Sequence, residues 1–394
     1  MKTEIAPRRS WLVLLLAWLT AFPPIATSMY LPAIPLLQKT WQEPLAVINL
    51  TLVGFFVSYC FFLLVYGPLS DRFGRRRPLL AGIGLFVLSS LMCALTDSAI
   101  SMIILRVLQG AGAAAASSLA LAISKDAYAG HERGRVLATI GTITAVAPMI
   151  APIFGGWILA GFSWRWIFVT QALFGGAAWI GTLCLPETLK TPTTTPLLQT
   201  VGTYLDLLRN RRYIVYTLMT SLIGLAHFAF IGGSADIYIT QIGLSAQAYG
   251  YFFALNAMAM MMGAFTCSRI VRRSRSKIFI TVSFSGILIG GSAILLSPLP
   301  GPWALALPMA IITFSYGFNR PLCHNLILEE VDRNAGAASS FLTFSYFIVG
   351  AFSMWLIALD WSDKIGTIGI LGAGSGGLVL GLWLLLPKLA TPKR

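Results

Sequence analysis

A succession of long apolar runs, separated by short polar gaps, constrains this chain more than any other feature. A run of roughly 18 to 25 apolar residues matches the hydrocarbon thickness of a bilayer when helical. In lipid every backbone N–H and C=O must be bonded within the protein, so such runs are expected to be helices. Twelve candidate spans are read near residues 11–37, 46–69, 78–96, 98–123, 135–160, 163–185, 213–236, 246–268, 277–297, 302–328, 335–358 and 365–386. Only 11% of residues are charged, against about 25% in a soluble domain. The N-terminal "MKTEIAPRRSWLVLLLAWL" starts like a secretory signal. Its apolar stretch outlasts the usual h-region and has no A-x-A site, so it is read as a retained first helix.

The net charge of +14 would suggest nucleic acid in a soluble protein. Here its distribution excludes that partner. Of 28 Lys and Arg, only Lys39, Arg165 and Lys364 fall on one face, and Arg106 and Arg320 lie inside spans. The other 23 fall in alternate gaps, which orients both termini toward the cytoplasm by the positive-inside rule. Cys60, Cys93, Cys184, Cys267 and Cys323 lie in apolar runs without a C-x-x-C pair. They are expected to be small core residues rather than disulfide or metal ligands.

Residues 186–212, "PETLKTPTTTPLLQTVGTYLDLLRNRR", differ from every other gap. This polar, Thr- and Pro-rich stretch turns amphipathic and basic, and reads as a linker between residues 1–185 and 213–394, six spans each. Its second half suits either a surface-lying helix or a fraying loop. A weak repeat supports two halves, since "GPLSDRFGRRRPL" and "CSRIVRRSRSKIF" occupy equivalent positions.

The motifs that carry chemistry are few. In "GPLSDRFGRRRP", Gly67 and Pro68 are expected to end a helix, and Gly74 to supply a tight reversal. Asp71 is a candidate partner for Arg72, Arg75, Arg76 and Arg77. Arg106 lies about eight residues into the fourth span, with Gln109 one turn on. A charge at that depth costs roughly 2.5–3.5 kcal/mol, so Arg106 should face a cavity and find a partner, or else bond to helix carbonyls. In "TAVAPMIAPIFGGW", Pro148 and Pro152 disrupt helix bonding while Gly155 and Gly156 permit close approach, which suits a hinge or simple kinked packing. Pro32 and Pro35 should bend or break the first span.

These motifs together resemble the major facilitator superfamily. Gly67–Arg76 looks like its loop signature between helices 2 and 3, and Arg106, Gln109 and Gly110 look like its helix-4 signature. Pro148, Pro152, Gly155 and Gly156 resemble the antiporter signature, and "LPET" resembles the end of helix 6 in drug exporters. "MYLPAIP" and "YGPLSDRFGRRRP" resemble most the bicyclomycin- and chloramphenicol-exporter (Bcr/CflA-like) subgroup of twelve-helix drug:proton antiporters. The resemblance implies an all-α membrane protein of two six-helix bundles around a central cavity, working by alternating access. It also implies a bacterial inner-membrane location and a cytoplasmic latch formed by the Asp71–arginine loop. One departure stands out. The subgroup typically reads Asp-Met-Tyr-Leu-Pro at the first span, with that Asp expected in proton coupling, and this chain has Ser28 in its place.

The candidate replacements are Asp236, His227 and His324. Asp236 lies about 36 Å along its helix from Arg212, near the outer interface, where a solvated carboxylate is expected. His227 lies deeper and is either a titrating group or a bonded packing residue. In "YGFNRPLCHN", Arg320 and His324 share a face beside Asn319, placed for a cavity, a structural ion pair or snorkelling. Ser28, Tyr30, Tyr59 and Asn256 complete the candidate substrate and proton pathway. The basic character of these positions favours a neutral or anionic substrate over a lipophilic cation.

The expected activity is therefore export of small amphiphilic compounds by proton antiport. Rival readings are export of one endogenous metabolite and proton-independent facilitation. Enzyme classes are disfavoured, since H-E-x-x-H, G-x-S-x-G and a phosphate-binding G-x-x-x-x-G-K-[ST] are absent. No cofactor beyond the proton gradient and no metal are expected. The expected partners are a small-molecule substrate and membrane lipid, with the chain acting as a monomer.

Overall fold

A computed structural model describes residues 6–189, 191, 197–270, 276–331 and 335–389. The described residues are helical, without strands. The first span is built in pieces: α1 (Ala6–Thr20), α2 (Phe22–Ser28), a 3₁₀ turn (Leu31–Ala33) and α3 (Ile34–Trp41). Pro32 and Pro35 each sit in the first two positions of a new piece, where a missing N–H removes no helix bond. Then follow α4 (Leu45–Phe73), α5 (Arg76–Leu95), α6 (Ala99–Ala127), α7 (Gly130–Gly161) and α8 (Arg165–Leu183). After the linker come α9 (Leu197–Arg209), α10 (Arg211–Leu222), α11 (Leu225–Ala235), a π-helical turn (Asp236–Gln241) and α12 (Ala246–Ile270). The chain closes with α13 (Ser276–Leu295), α14 (Trp303–Glu329), α15 (Ala335–Ile357) and α16 (Lys364–Leu389).

Among the described residues, eleven helical stretches are long and apolar enough to cross a membrane, the first being the composite Ser10–Trp41. The remaining expected span, α14, has the length, at 27 residues, but carries Asn319, Arg320, His324 and Asn325 in its second half.

Two compact units result: Met1–Thr203 with Ala246–Gly250, and Tyr204–Ser245 with Tyr251–Arg394. The division falls within the 186–212 stretch. In the first unit α6 packs against both α4 and α5. Its run Gly110–Ser117 is wholly buried, and such small side chains let neighbouring backbones approach closely in the absence of a hydrophobic driving force. In the second unit α13 packs on α16, and α15 on α10 and α11. The amphipathic half of the linker forms α9, and Leu207 there joins a buried cluster with Tyr213, Ile327, Ala338 and Leu342. The Asn210 side-chain amide ties that junction to the Glu330 carbonyl at 2.8 Å.

Two local expectations are corrected. α4 does not end at Gly67 and Pro68. It runs through Pro68 to Phe73, forgoing one backbone bond, and Gly74 ends it. α7 also continues across Pro148 and Pro152, consistent with either a hinge or kinked packing within one span. Packing and flanking hydroxyls sustain proline-containing helices at membrane depth. Cys184 is exposed at the end of α8, whereas Cys60, Cys93, Cys267 and Cys323 are buried.

Candidate functional site

The loop between α4 and α5 is the most tightly determined polar structure in the first unit. Gly74 has φ +87° and ψ 163°, a conformation open only to glycine. It aims Arg75 back into the unit. Arg75 Nε donates to Asp126 Oδ2 at 2.8 Å, and its Nη1 donates to Asp71 Oδ1 at 2.5 Å and Ser70 Oγ at 2.7 Å. Burial opposes its charge, but the two carboxylates outweigh it and raise the Arg75 pKa above the ordinary arginine value. Thus Asp71 selects Arg75 from the four candidate arginines. Arg76 donates to the Leu183 carbonyl at 2.6 Å, while Arg72 lies over the Phe73 ring at 5.5 Å and Arg77 is exposed.

Two carboxylates in this assembly carried no role in the sequence reading. Asp126 closes the end of α6. Glu187, in "LPET", accepts the backbone N–H of Arg75 at 2.8 Å and of Arg76 at 3.2 Å, capping α5 from 112 and 111 residues away. Burial pushes its pKa up, but backbone N–H donors from Leu189, Arg75, Arg76 and Thr188 outweigh that and hold it below the usual carboxylate range. The available signal was an acid following Pro at a helix end, opposite a helix N-terminus.

Deeper in the first unit, Arg106 is 0% exposed. Its Nη1 donates to the Ala26 carbonyl at 3.0 Å and to Gln109 Oε1. The guanidinium lies 4.9 Å from the Tyr30 ring centroid and 4.5 Å from that of Phe55. Gln109 Nε2 donates in turn to Ser90 Oγ at 2.7 Å and Gln171 Oε1 at 2.8 Å, and Gln171 reaches back to the Ala26 carbonyl at 3.3 Å. The break in the first span is what frees such carbonyls. Of the two readings of Arg106 the carbonyl-bonded one holds, and Tyr30 departs from the expected pathway: both are sealed inside the unit, and Tyr30 binds Thr51 Oγ1 at 3.0 Å. Arg106 Nε and Nη2 have no partner among the described residues. Ser28 is buried two residues past Ala26, and Tyr59 stacks on Phe55 at 6.2 Å. The hinge candidates converge, because a Cβ on Gly155 would lie 2.2 Å from the Met29 carbonyl oxygen and 3.1 Å from Pro32 Cγ. Gly156 is buried beside it.

In the second unit the expected solvated Asp236 is overturned. It is 6% exposed and accepts from Lys364 Nζ at 2.7 Å and Gln241 Nε2 at 3.0 Å. Lys364 is the first residue of α16 and turns inward rather than serving an outer loop. His227 stacks on Tyr316 at 4.8 Å, and its Nδ1 is buried without a hydrogen-bond partner among the described residues. Asn319 donates to Ser283 Oγ at 2.5 Å, and Asn256 Oδ1 accepts from Thr313 at 3.5 Å. Arg320 is exposed and rests over the Tyr346 ring at 5.0 Å, while His324 Nε2 is 3.0 Å from Ser339 Oγ. Among the described residues no His, Cys, Asp and Glu group could hold a metal.

A family model described as Major Facilitator Superfamily matches residues 16–354. The chain belongs to the major facilitator superfamily. It is 30% identical over 378 residues to an uncharacterized MFS-type transporter, YdgK, of Bacillus subtilis, covering 93% of this chain and 94% of that one. It is also 30% identical over 355 residues to the bicyclomycin resistance protein homolog of Haemophilus influenzae, covering 88% of each. That relative's name agrees with the subgroup its motifs resemble. A crystal structure of a D-xylose-proton symporter superposes with a TM-score of 0.76 at 15% identity, covering 95% of this chain and 96% of that one, which shows the shared fold. The chain is thus a multi-pass membrane transporter of this fold.

Proposed function

We propose that this transporter exports small amphiphilic compounds, neutral or anionic, by proton antiport across a bacterial inner membrane, with both termini cytoplasmic. The observation that carries export is near end-to-end similarity to a bicyclomycin resistance protein homolog. The charge of the spans supports the substrate class. Among the described residues Arg106 lies inside the first unit without an acidic partner, and the second unit's buried Asp236 is neutralised by Lys364. A lipophilic cation finds no free buried carboxylate among these groups.

Alternating access uses the Arg75 assembly as a latch, with Asp71 as its replaceable arm. Protons are carried without the subgroup's first-span Asp, by His227, Asp236 or His324. The test is proton movement in proteoliposomes under an imposed pH gradient, stimulated by neutral, anionic and cationic compounds. Chloramphenicol or an anionic amphiphile should stimulate proton flux, and stimulation by organic cations alone would overturn the substrate class. Ser28 favours a second reading, a proton-independent facilitator, for which compound flux would persist with no proton movement. Export of one endogenous metabolite has the same geometry and would show as saturable flux of that compound alone.

A further inference from the structure

α14 presents Tyr316, Arg320 and His324 at intervals of four, a single stripe along one face. α15 presents Ser339 and Tyr346 seven residues apart, also on one face. The two stripes meet rung by rung: His324 with Ser339 at 3.0 Å, the Arg320 guanidinium over the Tyr346 ring at 5.0 Å, and Tyr346 stacked with Tyr316 at 5.9 Å and 16°. His227 of α11 extends the stack beyond Tyr316 at 4.8 Å and 20°. All these residues belong to the second unit.

Two features of this ladder are unsatisfied as a purely structural arrangement. Arg320 lies about 26 Å along α14 from its start and about 14 Å from its end at 1.5 Å per residue, well within bilayer depth. It is nevertheless exposed and forms no ion pair among the described residues. An exposed charge at that depth has to face water rather than lipid. Moreover, the Tyr316 hydroxyl and His227 Nδ1 are both buried without hydrogen-bond partners among the described residues. Leaving such atoms unsatisfied is costly, so their retention on two stacked rings points to a ligand that completes them. No carboxylate belongs to the ladder, while a guanidinium and two imidazoles do.

We propose that this ladder is the docking site for a planar aromatic anion. The ligand's carboxylate takes the open edge of the Arg320 guanidinium as a bidentate pair. The faces of Tyr346 and Tyr316 are taken by each other, by Arg320 and by His227, so the ligand's ring packs against the edges of this pair, and a polar ring substituent reaches toward the Tyr316 hydroxyl and His227 Nδ1. This deepens the neutral-or-anionic export reading and rests on it.

The test uses the full purified chain and calorimetric binding of 2-naphthoate, 2-naphthamide and 2-naphthylmethylammonium. Wild type should bind the carboxylate at least tenfold more tightly than the amide, with the ammonium weakest. Arg320→Gln should bring the carboxylate to the level of the amide. Tyr316→Phe should weaken 6-hydroxy-2-naphthoate severalfold and leave 2-naphthoate unchanged. Equal binding of carboxylate and amide by wild type overturns the proposal, as does a preference that survives Arg320→Gln. If that variant does not fold, Arg320→Lys decides: a point charge cannot form the bidentate pair, so an undiminished preference refutes the site. Chloramphenicol efflux by the same preparations separates the two readings. Efflux without carboxylate preference removes the docking site and leaves export standing. Carboxylate preference without flux of any compound does the reverse.

Discussion

Gly74 is the position where one added methyl group tests the latch most directly. In Gly74→Ala the backbone must hold φ +87° and ψ 163°, a region whose occupation by a residue with a Cβ costs about 1–3 kcal/mol. The new Cβ would also stand 2.4 Å from Glu187 Oε2, well inside contact distance. Glu187 must therefore swing away, and the N–H groups of Arg75 and Arg76 lose their carboxylate. Charge-assisted bonds of this kind contribute about 1.5–3 kcal/mol when dry. Glu187 is exposed, so screening reduces the pair to about 1–2 kcal/mol in all. The combined destabilisation is roughly 2–5 kcal/mol. For a unit of this size that corresponds to a fall in melting temperature of roughly 4–20 °C.

Thermal melts followed by size-exclusion chromatography in detergent would measure it, and a double-mutant cycle with Glu187→Ala would separate the two causes. Once Glu187 is removed the clash is gone and only the backbone strain remains. Gly74→Ala should then cost about 1–2 kcal/mol less than it does in wild type, an interaction energy within the range measurable for touching residues. Equal destabilisation in the two backgrounds would show that Glu187 does not occupy the space glycine leaves. An unchanged melting temperature in Gly74→Ala would refute the backbone argument as well.

Further outcomes follow from the same structure. Lys364→Met should destabilise by about 3–5 kcal/mol by stranding buried Asp236, and Lys364→Met with Asp236→Asn should regain most of it; equal melting of single and double variants would contradict the pair. Asp71→Asn should fold normally, because Arg75 keeps Asp126 and Ser70, yet impair transport; wild-type efflux from a well-expressed variant counts against the latch. The folded Glu187 carboxyl titrates below its unfolded value, so its stabilisation is complete above the ordinary carboxylate range and is lost as pH falls through the folded pKa. Glu187→Gln should therefore flatten the acid limb of the melting-temperature profile, which a pH series of melts would reveal, whereas an identical acid limb would exclude Glu187 as its source.

Most of the architecture was readable because lipid leaves a chain few options: run length sets the helices and proline spacing sets the broken first span. The site was legible only where its partners lie close in sequence. Asp71 and Arg75 are four apart on one helix-to-loop turn, so Arg75 could be read as one of four candidate partners, from which the fold selects it. Asp236 and Lys364 are 128 residues apart, and the helical rise that placed Asp236 near an interface could not reveal a lysine folded over it. Arg106 is more instructive. Its depth was legible, but the sequence left open whether so costly a charge faces a cavity or bonds to helix carbonyls, and only an internal acceptor decides between them. The broken first span supplies that acceptor at the Ala26 carbonyl, with Tyr30 and Phe55 against the guanidinium. The break that Pro32 and Pro35 announce in the sequence thus solvates an arginine. Arg320 also sits beside a disrupted backbone bond, since Pro321 leaves the Gly317 carbonyl without its helix donor, yet Arg320 remains exposed on Tyr346. The contrast between the two arginines turns on what surrounds the guanidinium, sealed packing in one case and an open face in the other, which is why charge alone could not distinguish them.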